Sequence, residues 1–290
     1  MTYTHIDCFC GPGGICTGLH AAGFETLVAI EYIKSCVETY SANHPEVHVI
    51  HSDIRDVTAE QILPYIPSDG VDLVTSGMPC ETFSTAGNSS RAAYDDRQFL
   101  FREGIRIAEI ANARMILFEN VPMITTKRVA KTSKNLVLDV MKKELIEAGY
   151  GNFKQFIIDA EKYGVPQKRK RFFLLASRNP DDEITAPEIT TTKEVTVREA
   201  FCDIPPVVAN TWTENPMYLS ETSEYTRLMR DDTFWRRKTK ENKLLNHLPM
   251  NHRAYIIERF HMLRQGEGLK GLFARLDEEE LKELQKRKVM

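Results

Sequence analysis

The sequence of 290 residues lacks the features that mark several large classes of protein. It contains no run of about 18 apolar residues, so no membrane-spanning helix is predicted. Its first residues show no basic stretch followed by an apolar one, and no secretion signal is predicted. Its six cysteines lack the paired spacing of a zinc site, and a chain of this length needs no disulfides. We therefore expect a reducing, cytoplasmic location.

The sequence also lacks an overall excess of positive charge. The net charge is −3, which by itself does not indicate a nucleic-acid partner. Basic residues are concentrated at 168–171 and 227–243, where they either form a solvated surface or contact phosphates. Three histidines near the C-terminus have no cysteine or acidic residue at ligand spacing, and we predict no metal site: His247, His252 and His261.

Short apolar segments alternate with helical patterns over the first 180 residues. This alternation occurs about five times, and two further strands then follow in succession. Such an order predicts an α/β, Rossmann-like fold with a mostly parallel sheet and an antiparallel edge. The predicted strands span 3–9, 26–30, 47–51, 71–75, 115–118, 153–158 and 172–176.

The alternation defines three parts of the chain. Residues 1–180 are predicted to form one domain, and 181–193, with proline, aspartate and threonine, a linker. Residues 194–290 form a smaller C-terminal region that loses the alternation and ends in a charged, helical stretch.

Residues 77–84, Gly-Met-Pro-Cys-Glu-Thr-Phe-Ser, follow the predicted fourth strand. Open α/β sheets bind ligands at the carboxyl ends of their strands, where Cys80 is predicted to lie, and Pro79 stiffens the backbone before it. A thiolate there is a strong nucleophile. The alternative is a buried, inert cysteine.

A glycine-rich loop, Gly11-Pro12-Gly13-Gly14, joins the first strand to a helix and indicates a nucleotide-type site. Glu31, at the end of the second strand, is suited to accept hydrogen bonds from ribose hydroxyls, and Asp53, after the third, from an adenine amino group. Cys16 stands where the dinucleotide fingerprint has its third glycine. The pattern is compatible with S-adenosylmethionine and with NAD.

Two further motifs place charged side chains near the predicted position of Cys80. Glu119 ends the fifth strand on the same sheet edge as Cys80, which suits a proton donor or hydrogen-bond partner, although a surface glutamate is the alternative. In an extended segment Arg169 and Arg171 project to one face. Their guanidinium groups are suited to bind an oxyanion, a base oxygen or phosphates, unless they form a solvated strand end.

These motifs, in this order, closely resemble the DNA cytosine-5 methyltransferases. The opening signature is found at 7–14, the nucleophile motif at 77–84, and the Glu-Asn-Val motif at 119–121. The Gln-x-Arg-x-Arg motif is formed by Gln167, Arg169 and Arg171. The resemblance covers residues 4 to 180 continuously.

The resemblance implies an S-adenosylmethionine-dependent methyltransferase fold and specific roles for residues. The catalytic residues would be Cys80, Glu119, Arg169 and Arg171. The cofactor would bind to Phe9, Gly11, Pro12, Gly13, Gly14, Glu31, Tyr32, Asp53, Ile54, Pro79 and Leu100. Double-stranded DNA would contact Ser84, Asn120 and Gln167.

The resemblance also implies a mechanism. Cys80 would attack C6 of a cytosine flipped out of the stack, which makes C5 nucleophilic toward the methyl group. Glu119 would hydrogen-bond the base, and Arg169 and Arg171 would bind its O2 side. The loop at 82–97 would close behind the base.

The chain departs from the family in several places. Glu81 stands where the family usually has glutamine, and Ser52 where glycine is more usual. Residues 246–268 resemble the early target-recognition region, but two later family motifs are not found after Lys193. We therefore expect either the larger subunit of a split prokaryotic restriction-modification enzyme, in which a second polypeptide supplies the missing motifs, or a fragment. The split enzyme is favoured.

Other functions are compatible with parts of the pattern. Amino-methylating enzymes carry an Asp/Asn/Ser-Pro-Pro-aromatic stretch in place of the cysteine motif, and RNA-directed relatives carry a Cys-Phe-Thr pattern that residues 80–83 do not match. An inactive DNA-binding module on the same fold is disfavoured by the intact catalytic set. A NAD-dependent oxidoreductase is the alternative outside this family.

Overall fold

The computed structural model describes residues 2–79, 96–130, 132–191, 193–211, 216–236, 244, 246–287 and 289. The chain divides into two compact units. Unit 1 comprises Met1–Val197 and Arg227–Lys238, and unit 2 comprises Arg198–Thr226 and Thr239–Met290. The sequence indicated a linker at 181–193, shortly before unit 1 first ends, but gave no sign that 227–238 belongs to unit 1. Among the described residues, no helix is both long enough and apolar enough to cross a membrane.

Unit 1 is organised around a sheet that has seven strands within its described residues, in the order β3-β2-β1-β4-β5-β7-β6. Strands β1 to β5 pair in parallel, and β7 runs antiparallel to both β5 and β6. The strands are β1 (Tyr3–Cys8), β2 (Phe24–Glu31), β3 (His48–His51), β4 (Leu73–Ser76), β5 (Met115–Asn120), β6 (Asn152–Asp159) and β7 (Lys170–Ser177). The predicted mostly parallel sheet is confirmed, with its antiparallel strand inserted between β5 and the edge strand β6.

Helices connect the parallel strands and cover the sheet. They are α1 (Gly14–Ala21), α2 (Lys34–Asn43), α3 (Ala59–Ile62), α4 (Phe101–Ile110) and α5 (Val137–Glu147). Short 3-10 helices occur at Ile54–Asp56, Leu63–Tyr65, Asp96–Phe99, Pro122–Thr125 and Ala160–Tyr163.

The central strands are buried because helices pack on the sheet. Every residue of β4 is buried, as expected for a parallel strand with both faces covered. Helix α4 lies directly over β4 because Gly104 has no side chain: a Cβ there would stand 2.7 Å from the Ser76 hydroxyl. Phe101 and Ile107 of the same helix are fully buried in the core.

Unit 2 is helical where the structure describes it. Its helices include α8 (Ala254–Met262), α9 (Leu269–Arg275) and α10 (Glu278–Lys286). Two further helices, α6 (Val197–Phe201) and α7 (Glu224–Arg230), each span a boundary between the two units along the chain. Asp277 caps α10 by accepting a hydrogen bond from the Glu280 amide, and the Glu280 side chain returns to the Asp277 amide. The predicted charged, helical C-terminal stretch is thereby confirmed.

Candidate functional site

The predicted motifs converge on the carboxyl edge of the parallel sheet. Cys8 at the end of β1 pairs with Ser76 at the end of β4, and Ser76 pairs with Phe118 of β5. Because these strands end almost in register, the segments that follow them meet at one edge. β7 runs in the opposite direction, so its first residue, Lys170, lies at this edge as well.

A cavity of about 280 Å³ opens at this edge. Seven of the predicted cofactor residues line it: Phe9, Glu31, Tyr32, Asp53, Ile54, Pro79 and Leu100. Six lining residues were not predicted: Ile30, Ile33, Ser52, Arg55, Gly77 and Arg97. Five of these six adjoin a predicted residue in sequence or lie in the motif 77–84. This proximity is the sequence signal from which they could have been predicted.

The Glu31 carboxylate is held by backbone amides. One oxygen accepts a hydrogen bond from the Gly11 amide at 2.9 Å. The other accepts from the amides of Tyr32 and Ile33, at 2.9 and 2.8 Å. Glu31 is buried, with 7% of its surface exposed. Its side chain is therefore fixed against the glycine-rich loop, and it is oriented at the cavity wall by main-chain groups alone.

The glycine-rich loop uses backbone conformations that L-residues rarely adopt. Gly11 and Gly13 have φ values of 54° and 97°, and Phe9 has a φ of 57°. A positive φ in a bulky residue is strained and recurs at functional sites, and Phe9 lines the cavity. The four predicted loop residues 11–14 are not among the residues that line the cavity, but the Gly11 amide acts on it through Glu31.

Asp53 follows β3, the strand that pairs with β2, and also lines the cavity. Its carboxylate accepts two hydrogen bonds from the Arg55 guanidinium and one from the Arg55 amide. The Arg55 hydrogen bond is the main cause that lowers the pKa of Asp53 below its ordinary value. The carboxylate is therefore ionised and available as an acceptor, as the predicted contact with an amino group requires.

The nucleophile motif is described only in part. Cys80, Glu81 and Ser84 lie outside the described residues, as does most of the predicted loop at 82–97. Pro79 is the last described residue of the motif and lines the cavity. Cys80 follows Pro79 directly in sequence.

Asn120 supports the backbone of this motif. It is 1% exposed, and its side-chain amide donates to the Met78 carbonyl at 3.3 Å. Its carbonyl oxygen accepts from the Val121 amide at 2.8 Å. This geometry gives Asn120 a positioning role behind the motif, whereas the contact with DNA that the resemblance implies stays a prediction.

Glu119 is paired with an arginine of the predicted set. The Arg171 Nε lies 2.7 Å from a Glu119 carboxylate oxygen, and both side chains are about one-fifth exposed, at 19% and 23% respectively. Arg169 and Gln167 are exposed in the segment just before β7. The structure therefore brings Glu119 and Arg171 together, and it leaves Arg169 and Gln167 on the surface beside them.

A buried polar chain that the sequence reasoning missed lies within the strands below the loop. The Thr75 hydroxyl donates to an Asp7 carboxyl oxygen at 2.8 Å, so it accepts from His5 Nε2, also at 2.8 Å. His5 Nδ1 then accepts from the Thr26 hydroxyl at 2.8 Å. Polar residues at alternate positions of β1 were the signal for this chain, because successive side chains of a strand point to opposite faces.

Burial favours the neutral form of the two titratable residues in this chain, Asp7 and His5. It raises the pKa of Asp7 to about 7, assisted by the charge of Glu31 and opposed by the Thr75 hydrogen bond. It lowers the pKa of His5 to about 3. A neutral imidazole that donates at one nitrogen and accepts at the other is what the hydrogen-bond directions require.

Comparison with known proteins identifies what the chain resembles. The model of the family "C-5 cytosine-specific DNA methylase" matches residues 3–288. The type II methyltransferase M1.HphI of Haemophilus parahaemolyticus is 30% identical over 267 residues, which cover 92% of this chain and 62% of that protein. M.DdeI of Desulfomicrobium norvegicum is 29% identical over 91% of this chain and 62% of its own length. The chain thus spans about three-fifths of the length of these two relatives.

A solved structure has the same fold. It is a putative DNA modification methyltransferase encoded within a prophage of E. coli, with a TM-score of 0.70 and 22% identity over 92% of this chain and 77% of that one.

Proposed function

The chain belongs to the C-5 cytosine-specific DNA methylase family, and on that premise we propose that it methylates C5 of cytosine in double-stranded DNA with S-adenosylmethionine as the methyl donor. The observation that carries the proposal is the cavity at the carboxyl edge of the sheet. Its lining includes Glu31 and Pro79, and Pro79 precedes the proposed nucleophile Cys80 in sequence.

The cavity fits S-adenosylmethionine in its chemistry. An anionic acceptor, Glu31, suits ribose hydroxyls, and Asp53 suits the adenine amino group. Phe9, Ile54 and Leu100 offer apolar surface for the adenine ring. The loop at 11–14 approaches the same region through Gly11, whose positive φ favours glycine. S-adenosylmethionine bound here supplies an electrophilic methyl group.

The chain's own residues carry the remaining chemistry. The Cys80 thiolate adds to C6 of cytosine, and the electron pair of the C5–C6 double bond then becomes available at C5. This pair forms the new C–CH₃ bond while the bond between the methyl group and the sulfonium sulfur breaks, and S-adenosylhomocysteine leaves. Glu119 hydrogen-bonds N3 and the exocyclic amine and so offsets the charge that develops on the base. A base then removes the C5 proton, the C5–C6 double bond re-forms, and Cys80 leaves as the thiolate.

This chemistry requires the target base to leave the DNA stack. Ser84, Asn120 and Gln167 are proposed to contact the DNA, and Arg169 and Arg171 the O2 side of the base. Arg171 supports that role because it already lies against Glu119. We further propose that the chain acts in the cytoplasm of a prokaryote as part of a restriction-modification system.

Two measurements on the purified protein test the proposal. S-adenosylhomocysteine is expected to raise the melting temperature, whereas NAD⁺ is expected to leave it unchanged. The opposite pattern would favour an oxidoreductase and overturn the assignment of the cavity.

The second measurement identifies the nucleophile. DNA that contains 5-fluorocytosine, incubated with S-adenosylmethionine and the complete enzyme, is expected to form a covalent adduct that denaturing gels resolve. Cys80→Ala is expected to abolish the adduct, while Cys36→Ala, at a half-buried cysteine of α2, retains it. An adduct that persists in Cys80→Ala would refute the proposed nucleophile.

The need for a second polypeptide stays a prediction. The prediction rests on the two family motifs that are not found after Lys193. The chain alone is expected to bind DNA and cofactor weakly and to methylate poorly, and addition of a polypeptide with the two absent motifs is expected to restore turnover. Full turnover by the single chain would contradict this.

A further inference from the structure

Three side chains from consecutive elements of unit 1 cluster on the far side of the glycine-rich loop. His20 lies in the last turn of α1, His44 caps the end of α2, and Glu46 lies in the connection to β3. One nitrogen of each histidine and one carboxylate oxygen all lie within 4.8 Å of one another. Nδ1 of His20 is 3.8 Å, and Nδ1 of His44 is 4.0 Å, from the same oxygen of Glu46.

The proton position on His44 follows from its neighbours. The Thr17 hydroxyl donates its single hydrogen to the Gly13 carbonyl at 2.8 Å. It can therefore only accept from His44 Nε2, which lies 3.2 Å away. Nε2 thus carries the proton of the imidazole.

The other nitrogen of His44 is then left without a donor partner. A ring that is only 6% exposed favours the neutral form, in which Nδ1 carries a lone pair. Nδ1 lies 4.0 Å from a Glu46 carboxylate oxygen, so two acceptors lie near each other. A cation between them would satisfy both.

We propose that His20, His44 and Glu46 bind one divalent transition-metal ion of the zinc or cobalt class. Two imidazole nitrogens and one carboxylate oxygen form a ligand set that zinc accepts in proteins, with a water in the fourth position. Nitrogen ligands disfavour magnesium and calcium, which bind through oxygen. Tetrahedral ligands at zinc distances lie about 3.3 Å apart, so the His20–Glu46 and His44–Glu46 separations need to close by about 0.5 and about 0.7 Å.

The hydrogen bond between Thr17 and His44 resembles those that orient histidine ligands in metal sites. Metal-binding histidines commonly donate their second ring N–H to an oxygen, which fixes the tautomer and the ring orientation. Here that oxygen is the Thr17 hydroxyl of α1, which also donates to the Gly13 carbonyl. The ion is therefore expected to stabilise the connection between the glycine-rich loop, α1 and α2, and not to take part in methyl transfer.

The direct test is titration of the purified, metal-free protein with Co²⁺, followed by visible absorption and by the melting temperature. We expect one equivalent to bind, with the intense d–d bands of a low-coordinate site, and the melting temperature to rise. Zn²⁺ is expected to displace Co²⁺ and remove the bands. Absence of the bands would overturn the proposal, because the cluster would then be an ordinary contact between His20, His44 and Glu46.

Variants locate the site. His20→Ala and Glu46→Gln are each expected to weaken Co²⁺ binding at least about tenfold, and Thr17→Val about 10- to 100-fold by releasing His44. His48→Ala is the matched control, since that ring stacks on Tyr65 at 3.6 Å and is expected to leave binding unchanged. Glu46 is a surface residue, so Glu46→Gln tests the site even where a histidine variant unfolds. Co²⁺ affinity that is unchanged in both ligand variants would refute the assignment.

Discussion

Glu31 and Glu119 lie at different parts of the carboxyl edge of the sheet and are held by different means. On the β1–β3 side, Glu31 is buried and accepts three hydrogen bonds from backbone amides. On the β5–β7 side, Glu119 is partly exposed and pairs with the Arg171 side chain. Backbone amides are fixed by the fold, whereas a side-chain partner can rotate away. Glu31, in the cofactor half of the edge, is thus preorganised, whereas Glu119, in the catalytic half, has a partner that can be exchanged for a base.

The largest effect is expected on the catalytic half. Glu119→Gln in the complete enzyme should lower the methylation rate by about 10²- to 10⁴-fold, because the group that offsets charge on the base is lost. The affinity for S-adenosylhomocysteine should not change, since Glu119 does not line the cavity. Transfer of a tritiated methyl group to DNA measures the first quantity, and calorimetry the second.

A matched glutamate on the surface of α5 provides the control. Glu147→Gln removes a carboxylate that pairs with Lys143 on an exposed helix face, and it is expected to leave the rate unchanged. Equal losses in the two variants would show that Glu119 acts only on stability, and the contrast between the two halves would fail.

The reverse pattern is expected on the cofactor half. Glu31→Ala removes the shared acceptor of three backbone amides and the proposed ribose partner, so the affinity for S-adenosylhomocysteine should fall at least about tenfold. The melting temperature without ligand should fall as well. Glu31→Gln keeps one acceptor oxygen and should lie between. Unchanged affinity in Glu31→Ala would mean that the cavity binds its ligand without this carboxylate.

The same two carboxylates show which features the sequence could predict. Glu31 and Glu119 were both found because each ends a predicted parallel strand, and strand ends meet at one edge. The hydrophobic pattern likewise predicted every strand of the sheet to within two residues at each end. These features depend on local sequence and on topology, which a single chain reveals.

The partners of these carboxylates were not predictable in the same way. The Arg171–Glu119 pair depends on the register between β5 and β7, which pairs Glu119 with Phe173. The buried chain through His5 and Thr75 depends on the register of β1 and β4. Register between distant strands is set by packing, and no local pattern encodes it.

The buried chain beneath the cofactor half gives the next effect, in the pH dependence of stability. Native Asp7, with a pKa of about 7, keeps a proton that the unfolded chain loses above its ordinary value of 3.8. The free energy of unfolding therefore falls by about 1.4 kcal/mol per pH unit as the pH rises between these values. Native His5, with a pKa of about 3 against an ordinary 6.5, has the opposite slope between about pH 3 and 6.5.

The two slopes cancel between about pH 4 and 6.5, and single variants separate them. Asp7→Asn should leave the His5 contribution, so that stability rises with pH relative to the wild type. His5→Asn should leave the Asp7 contribution, so that stability falls. Urea unfolding at several pH values across this window measures both. Parallel profiles for the two variants and the wild type would show that neither pKa is shifted by burial.

The smallest effect concerns the glycine-rich loop that fixes the cofactor half. Gly13 has a φ of 97°, and a Cβ there would stand 3.1 Å from the His44 and Tyr40 rings. Gly13→Ala should therefore destabilise the protein by about 1–3 kcal/mol. Gly18 lies inside α1 with open space around its Cα, and Gly18→Ala should stabilise it by about 0.5–1 kcal/mol. Chemical denaturation compares the two, and equal effects would mean that the loop is not held in this conformation, in which case the Gly11 amide could not help to fix Glu31.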